Sequence, residues 1–490
     1  MKFISTRSED FENNASCAIV KGLADDGGLF VPQFFPDLSG DIEKLIKMDY
    51  AERAAYIIGK FLEEYDEKEL LSACRAAYAE FENGDPAPTV KLDDDLFLLE
   101  LFHGPTLAFK DIALTLLPFL LRNGADRMGI KDEILILVAT SGDTGKAALE
   151  GFKDKEGVKI NVFYPSDGVS DMQKSQMRSQ KGGNVNVVGV KGNFDDCQSA
   201  VKKMFSDTDL FRRLKEKNVV LSSANSIDFG RLVPQIVYYF SAYCDLVEAG
   251  EIKLYDKINF TVPTGNFGNI LAGYYAKKMG LPVDKLICAS NSNNVLTEFF
   301  ATGTYDTGRE FFATMSPSMD ILVSSNLERL LFETSGRDYA VTAKRMAELK
   351  KTGKYSISAE ELNKLKEDFC AGYCDEEECR AEISEIFDEY GYISDPHTAV
   401  ALKVCKDNGF NRKTVVLSTA SPYKFPQDVL FSVSGKRIKD AFKAAEMLEE
   451  ETAAPIPKQI TELKTAEMRF DKVTDKNSTE QVVLEFISEK

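Results

Sequence analysis

The run Ile134-Leu135-Ile136-Leu137-Val138-Ala139 leads directly into Thr140-Ser141-Gly142-Asp143-Thr144-Gly145. Six apolar residues without alternation read as a strand buried on both faces, because a solvated face would place a polar residue at every second position. The small and hydroxyl residues that follow open a helix expected over 143–153, whose first N–H groups lie at the end of the strand. The same unit recurs on either side. Apolar runs at 97–101, 158–164, 185–190, 219–221, 258–262, 286–289 and 414–417 alternate with helical segments that include 195–205, 229–247 and 267–279. Such alternation predicts an α/β fold with mostly parallel sheets.

Composition bounds the function. The chain has 490 residues, and 60 basic against 78 acidic side chains give a net charge of −18. That length corresponds to about three domains, large enough for cores that need no disulfides or structural metal. The acidic balance disfavours nucleic acid and anionic membranes as partners. No apolar stretch approaches the ~18 residues of a transmembrane helix. Met1 to Arg7 turns acidic at Glu9-Asp10 without an apolar core, so no secretory leader is expected. Nine scattered cysteines, an odd number, point to a reducing cytoplasm. Cys370, Cys374 and Cys379 flank an acidic run with no histidine near, and read as an exposed acidic helix; no metal site is expected. Only His103 and His397 are present, too few for a multi-histidine metal centre and little material for a Ser-His-Asp site. A general base is then Lys, a carboxylate or Tyr.

Residues 1–89 read as a helical segment with an extended start at Phe30-Val31-Pro32 and helices near 49–64 and 67–82, closed by the breaker Gly84-Asp85-Pro86-Ala87-Pro88. Residues 345–385 read as a charged helical insertion, and 454–490 as a polar, loosely packed tail.

Three loops carry chemistry, each placed where open α/β sheets bind ligands, at strand C-terminal ends. Thr140 to Gly145 suits an anion at a helix N-terminus; it lacks the GK[ST] ending of a nucleotide-binding P-loop, and an ordinary capped turn is its bland alternative. Pro263-Thr264-Gly265-Asn266-Phe267-Gly268-Asn269 suits a phosphate cradled by N–H groups, and lacks the GxGxxG spacing. His103-Gly104-Pro105-Thr106-Leu107-Ala108-Phe109-Lys110-Asp111 places a lysine among apolar residues, where a neutral amine is favoured; a surface lysine paired with Asp111 is the alternative. A lysine, a phosphate cradle and a carboxylate-binding loop together fit pyridoxal 5'-phosphate. Leu417-Ser418-Thr419-Ala420-Ser421-Pro422 adds a hydroxyl after the last strand.

The chain resembles the threonine synthases, within the fold-type II (tryptophan synthase β-like) pyridoxal-phosphate enzymes. The resemblance runs nearly end to end. Its carriers are Gly22 to Leu29, Phe102 to Thr106 with Phe109 to Asp111, Ala139 to Gly145, Ser222 to Ser226 with Arg231, and Thr264 to Asn269. Ser316 to Ile321 with Ser324 to Asn326, and Asp395 to Val400, continue the series.

The resemblance implies two three-layer α/β domains facing each other across the cofactor, plus the N-terminal helical segment. The smaller domain would take 112–228 and the larger 90–111 with 229–490. The resemblance also implies conversion of O-phospho-L-homoserine and water to L-threonine and phosphate. Lys110 would carry the cofactor as a Schiff base and move protons as the catalytic group. Thr264, Gly265, Asn266, Phe267, Gly268 and Asn269 would hold the cofactor phosphate. Thr419 would face the pyridine nitrogen, and Asp143 would lie near the phenolic oxygen. Thr140, Ser141, Gly142, Asp143 and Thr144 would bind the substrate carboxylate. Ser223, Asn225, Arg231, Ser324, Asn326 and Lys146 are candidates for the substrate phosphate. His103 is either a support of the site or a structural histidine, and His397 reads as a helix cap. The family often shows Thr-Ala-His-Pro-x-Lys-Phe, and here Ser421 stands in place of that histidine. The expected assembly is a monomer or homodimer. Rival readings are a dehydratase or phospholyase of the same fold, a non-catalytic metabolite binder, and a nucleotide-binding protein.

Overall fold

A computed structural model describes the whole chain apart from residues 10–12, 141, 167–168, 410 and 489–490. Two sheets organise it. The larger contains β1 (Thr89–Lys91), β2 (Leu96–Glu100), β7 (Ile258–Pro263), β8 (Val283–Ser290), β9 (Phe369–Tyr373) and β10 (Thr414–Ser418), in the order β9-β8-β7-β10-β2-β1. All neighbours are parallel except β1, which runs antiparallel to β2. The smaller sheet contains β3 (Glu133–Ala139), β4 (Val158–Pro165), β5 (Val185–Lys191), β6 (Val219–Ser222) and β11 (Val473–Asp475), in the order β11-β5-β4-β3-β6, all parallel.

The strands expected from apolar runs are all present, with ends displaced by a few residues at most. β3 and β7 are buried on both faces because helices cover each side. Helix α3 (Phe229–Glu248) is apolar nearly all round and buried over most of its length, so it forms the spine between the large sheet and the N-terminal region. That region adds a three-stranded antiparallel sheet (Lys2–Ser5, Asn13–Asn14, Phe30–Pro32) and helices that include Tyr50–Gly59 and Glu67–Tyr78. Their apolar faces merge with one continuous core.

Two expectations are corrected. The segment 345–385 is not wholly helical: Phe369–Tyr373 is edge strand β9, paired with β8 from Leu286↔Phe369 to Ser290↔Tyr373. Cys370 therefore lies in a strand, and Cys374 and Cys379 are buried instead of lying on an exposed helix. The C-terminal segment is not a loose tail. Val473 to Asp475 pair with Gly189 to Lys191 of β5, and Val482, Val483 and Phe486 of the last helix, Thr479–Phe486, pack against Leu135, Phe163, Val201 and Leu214. The chain after residue 229 thus returns at its end to the smaller sheet. The stretch 345–385 also holds strand Lys354–Ser356, antiparallel to Thr304–Asp306; all three concealed strands are short and lie beside charged helical segments.

Candidate active site

The strand order of the large sheet reverses at β7 and β10, and such a switch point opens a crevice beyond the strand C-termini. The loops after β2, β7 and β10 meet there, and the loop after β3 of the smaller sheet faces them.

The loop after β2 ends at α1 (Lys110–Leu114), and its backbone is held by the residues after β10. Phe109 N donates to Thr419 O at 2.9 Å, Ser421 N donates to Leu107 O at 3.1 Å, and Ala108 bridges Ala420. Leu107 sits at φ 61°, in the left-handed region. Asp111 accepts from Thr106 N at 2.8 Å and Thr106 Oγ1 at 2.5 Å. Burial pushes the Asp111 carboxyl up to about 6 against those hydrogen bonds. Asp111 is therefore taken by the loop, and the reading of Lys110 as a surface lysine paired with it does not hold.

Lys110 is instead buried, 9% exposed, with Nζ 3.3 Å from Ser318 Oγ and 3.4 Å from Asp143 Oδ2. Burial lowers its pKa; Asp143 opposes that shift, while the charges of Lys424 and Arg231 add to it. A neutral amine is thereby favoured. Asp143 opens α2 (Asp143–Phe152). Burial alone would raise its pKa, but Lys424 and Lys110 hold the carboxyl well below the usual range. Its two oxygens divide their partners. Oδ1 takes Lys424 Nζ at 2.8 Å and Gln173 Nε2 at 2.9 Å, while Oδ2 takes Ser318 Oγ at 3.2 Å and the looser Lys110.

Ser318 belongs to the short turn Pro317–Met319. Its N–H donates to His397 Nε2 at 3.2 Å, so Nδ1 carries the ring proton and donates to Asp395 Oδ2 at 2.6 Å. Asp395 is also the N-cap of helix Pro396–Asn408, accepting from His397 N and Thr398 N. His397 thus lies in the first turn that Asp395 caps, and its ring additionally fixes the Ser318 turn. His103 lies between Glu82 and Glu100, each at 2.8 Å from a ring nitrogen. Burial lowers its pKa, but the two carboxylates outweigh that and raise it overall. It serves as a clamp between those acids.

The loop after β7 leads into helix Gly268–Lys278. Its N-cap, Phe267, is left-handed at φ 62° and supplies no side-chain cap. The N–H groups of Gly265, Asn266, Phe267 and Gly268 donate to no acceptor among the described residues. Four consecutive N–H groups left this way form a cradle for an anion. The carbonyls point into other bonds: Ser324 Oγ donates to Gly265 O at 2.7 Å, and Asn326 N and Nδ2 both donate to Asn266 O at 3.1 Å. Thr264 Oγ1 donates to Val262 O, and Asn269 Oδ1 accepts from Tyr238 and Tyr239. A Cβ on Gly265 would stand 2.7 Å from Ser318 O. The cradle and the Lys110 pocket therefore share one wall, the Ser318 turn.

The remaining candidates separate into two groups. Thr140 is spent within its own loop, its Oγ1 accepting from Gly142 N at 3.0 Å and Gly145 N at 2.9 Å. Gly142 is at φ 153°, and Gln173 fills the space where its Cβ would be. Thr144 is half-buried in the first helical turn; Ser141 lies outside the described residues. Ser324 and Asn326 tether the cradle, Asn326 also accepting from Arg329. Lys146 is paired with Glu150 at 3.1 Å and with Gln180. Asn225 is exposed and Ser223 half-buried in the approach to α3. Arg231, by contrast, is buried with Nη1 donating to Ala224 O at 2.7 Å and Nε without a partner among the described residues; burial pulls its pKa down to about 10. Thr419 keeps its hydroxyl free of described protein partners while its backbone is held on both sides. Lys424, Gln173, Ser318 and the Asp395–His397 pair were missed as site residues. Ser318 and the Asp395–His397 pair stood within the matched motifs Ser316 to Ile321 and Asp395 to Val400, Lys424 is the lysine of the Thr-Ala-His-Pro-x-Lys-Phe pattern, and Gln173 gave no signal.

Family models match the chain in three consecutive stretches. Residues 2–78 match "Threonine synthase N terminus", 85–421 match "Pyridoxal-phosphate dependent enzyme", and 398–487 match "Threonine synthase, C-terminal". A human protein called "Threonine synthase-like 1" is 43% identical over 460 residues, covering 89% of this chain and 61% of its own. The chain thus spans about three fifths of the length of that relative. "Threonine synthase" from Pseudomonas aeruginosa is 38% identical over 436 residues, 88% of this chain and 90% of its own. The crystal structure of PLP-bound threonine synthase from Brucella melitensis superposes with a TM-score of 0.89 at 38% identity, covering 99% of both chains. The parallel sheets, the switch-point crevice and these matches agree, and the chain belongs to the threonine synthase family of pyridoxal-phosphate-dependent enzymes.

Proposed function

We propose that the protein is a threonine synthase, converting O-phospho-L-homoserine and water to L-threonine and phosphate. The observation that carries this reading is the shared wall: a buried Lys110 amine and a cradle of unpaired N–H groups lie on either side of the Ser318 turn. The residues fit pyridoxal phosphate. The cradle supplies donors for its phosphate, Lys110 its covalent attachment, and the free Thr419 hydroxyl a partner for a ring nitrogen that stays unprotonated. When bound, the cofactor stores the electron pair released at the carbon next to the substrate amine.

The chain's own groups do the rest. Lys110 Nζ moves protons at the substrate's α and β carbons, a role that needs the neutral amine its burial favours. Asp143 and Ser318 orient that nitrogen. The first turn of α2, with Thr144 and the N–H groups after Gly142, takes the substrate carboxylate. Arg231, the buried cation with spare donors, takes the substrate phosphate. The working units are residues 1–89, a smaller domain over 112–228 joined by 473–487, and a larger one over 90–111 and 229–472; closure of the smaller on the larger keeps water from every step but the one that adds it. The assembly we expect is a monomer or homodimer. The nine free cysteines suit a cytoplasmic setting.

The test is phosphate release and threonine formation from O-phospho-L-homoserine, beside threonine, serine and phosphoethanolamine as substrates. Equal amounts of threonine and phosphate are expected, lost in Lys110→Ala together with the cofactor's visible absorption. In Arg231→Gln, KM should rise at least tenfold with the absorption intact. Phosphate released without threonine would move the function to a phospholyase.

A further inference from the structure

Lys424 is the least expected charge in the site. Its side chain is wholly buried, and its ammonium has two partners, Asp143 Oδ1 at 2.8 Å and Thr106 O at 2.8 Å. A buried lysine is rare because its ammonium is costly to desolvate, so its position calls for a cause. Two observations supply one.

The first is charge balance. Lys110, Lys424 and Arg231 are the cations that act on this pocket, and Asp143 is the carboxylate facing Lys110. Asp111, also near Lys424, is occupied by Thr106. If Lys424 were absent, Asp143 would be balanced by Lys110 alone. That pairing would hold Lys110 as an ammonium, unable to attack or to take a proton. With Lys424 present, Asp143 is already matched through Oδ1, at the shorter of the two distances, and Lys110 can give up its proton without leaving a buried charge unpaired.

The second is how Lys424 is delivered. Ser421 opens the short turn Pro422–Lys424, its Oγ accepting from Tyr423 N at 3.3 Å, while Lys424 N donates to Ser421 O at 3.1 Å. Ser421 N donates to Leu107 O, three residues before Lys110. One strip of backbone therefore sets Lys110 and Lys424 against the same carboxylate.

We propose that Lys424 is a positioning residue of the catalytic centre, whose ammonium neutralises and fixes Asp143 so that Lys110 is free to work as an amine. The proposal rests on the reading of Lys110 as the cofactor-bearing lysine.

The experiment is a pH titration of the visible absorption of the purified holoenzyme, with Lys424→Met, Lys424→Arg, Asp143→Asn and the Asp143→Asn/Lys424→Met double variant. In Lys424→Met the unmatched carboxylate favours the protonated nitrogen, so the titration midpoint should rise by about one to three pH units. The kcat should fall at least tenfold, with KM moving much less. Lys424→Arg should return the midpoint to within half a unit of wild type, and the double variant should lose the upward shift because the carboxylate is gone. A lysine that merely tied the loop to Thr106 O would lower stability and leave the midpoint in place. An unmoved midpoint in Lys424→Met therefore overturns the proposal. If Lys424→Met does not fold, the double variant decides: removing the matched pair together should leave the midpoint within about a unit of wild type, and a rise of about a unit or more refutes the pairing. A wild-type protein with no visible band would defeat the underlying reading of Lys110; a normal band that ignores Lys424 defeats this proposal alone.

Discussion

Gly151→Ala tests how tightly the helix that bears Lys110 is seated. Gly151 lies near the end of α2, and a Cβ there would stand 2.1 Å from Leu114 O and 2.7 Å from Leu114 C, at the end of α1. Both atoms are backbone, so no rotamer change relieves the contact. Moving a carbon from 2.1 Å to an ordinary separation displaces α1 or α2 by about 1 Å. Overpacking of that kind costs about 1–3 kcal/mol or more. In the other direction, alanine is favoured over glycine within a helix by up to about 1 kcal/mol. The clash is the larger effect, and a net loss of about 2 kcal/mol is expected. A chain of 490 residues has an unfolding entropy near 1 kcal/mol per kelvin, so Tm should fall by about 2 °C. Because α1 begins at Lys110, the shift should also weaken cofactor retention on dialysis. Gly183→Ala is the control: it is exposed, nothing lies within 4 Å of its Cβ, and Tm should stay within about 0.5 °C. Scanning calorimetry of the three proteins gives the answer. A Gly151→Ala protein as stable as wild type, with its cofactor firmly held, would refute the close packing of α1 on α2.

Three further outcomes are expected. Asp228, buried with Oδ2 unpartnered among the described residues, is pushed up to about 7 by burial against Gly230 N–H, Arg231 and Arg329. The native state keeps this proton above pH 4 and the unfolded state does not, so its contribution to stability is full below about pH 4 and gone by about pH 7, a loss of up to about 4 kcal/mol. Asp228→Asn keeps the cap and should flatten the fall in urea midpoint between pH 5 and 7.5; an unchanged slope refutes the shift. Arg329, fully buried, donates to Phe30 O, Ile227 O and Asn326 Oδ1. Arg329→Met strands two buried acceptors and one part-buried acceptor and should cost about 3–5 kcal/mol in thermal unfolding, whereas a loss under 1 kcal/mol would show that water replaces the guanidinium. Phe267 combines a left-handed backbone with packing against Phe300 and Phe369. Removal of the ring costs both variants alike, so Phe267→Gly should be about 1 kcal/mol more stable than Phe267→Ala, reversing the usual order; the reverse result would place this residue outside the left-handed region.

Legibility followed the range of the interactions. β3, β7 and β10 declared themselves because a doubly buried strand is apolar at every position, and the loops after them because glycine and hydroxyl residues cluster within six or seven positions. Lys110's own loop read equally as a surface lysine, and only the company of the two glycine-bearing loops singled it out. What Asp143 does could not be read locally, since its anchor Lys424 lies nearly three hundred residues away and becomes a neighbour only when the two sheets meet. Ser324 and Asn326 looked like ligand groups because their side chains are polar; the fold spends them on the carbonyls of Gly265 and Asn266, which is what leaves the N–H groups of that loop open. Strand β11 escaped because an edge strand needs an apolar residue on one side only, and Val473-Thr474-Asp475 supplies one in three; in β9 the short Phe369-Cys370-Ala371 run is submerged in a charged helical stretch.

The return of Val473–Asp475 to the edge of β5 has a consequence for synthesis on the ribosome. Lys191, the last residue of β5, emerges about 280 residues before the strand that covers it. At ordinary elongation rates of about 5–20 residues per second, the nascent smaller sheet waits roughly 15 to 60 seconds with an open edge. Over the same interval Leu135, Phe163, Val201 and Leu214 lack the helix that shields them. Open edges beside apolar surface template association with other chains. The vulnerable species is thus the unfinished polypeptide, and a chaperone that holds the exposed face until translation ends should raise the yield of folded protein more than any change within the completed molecule.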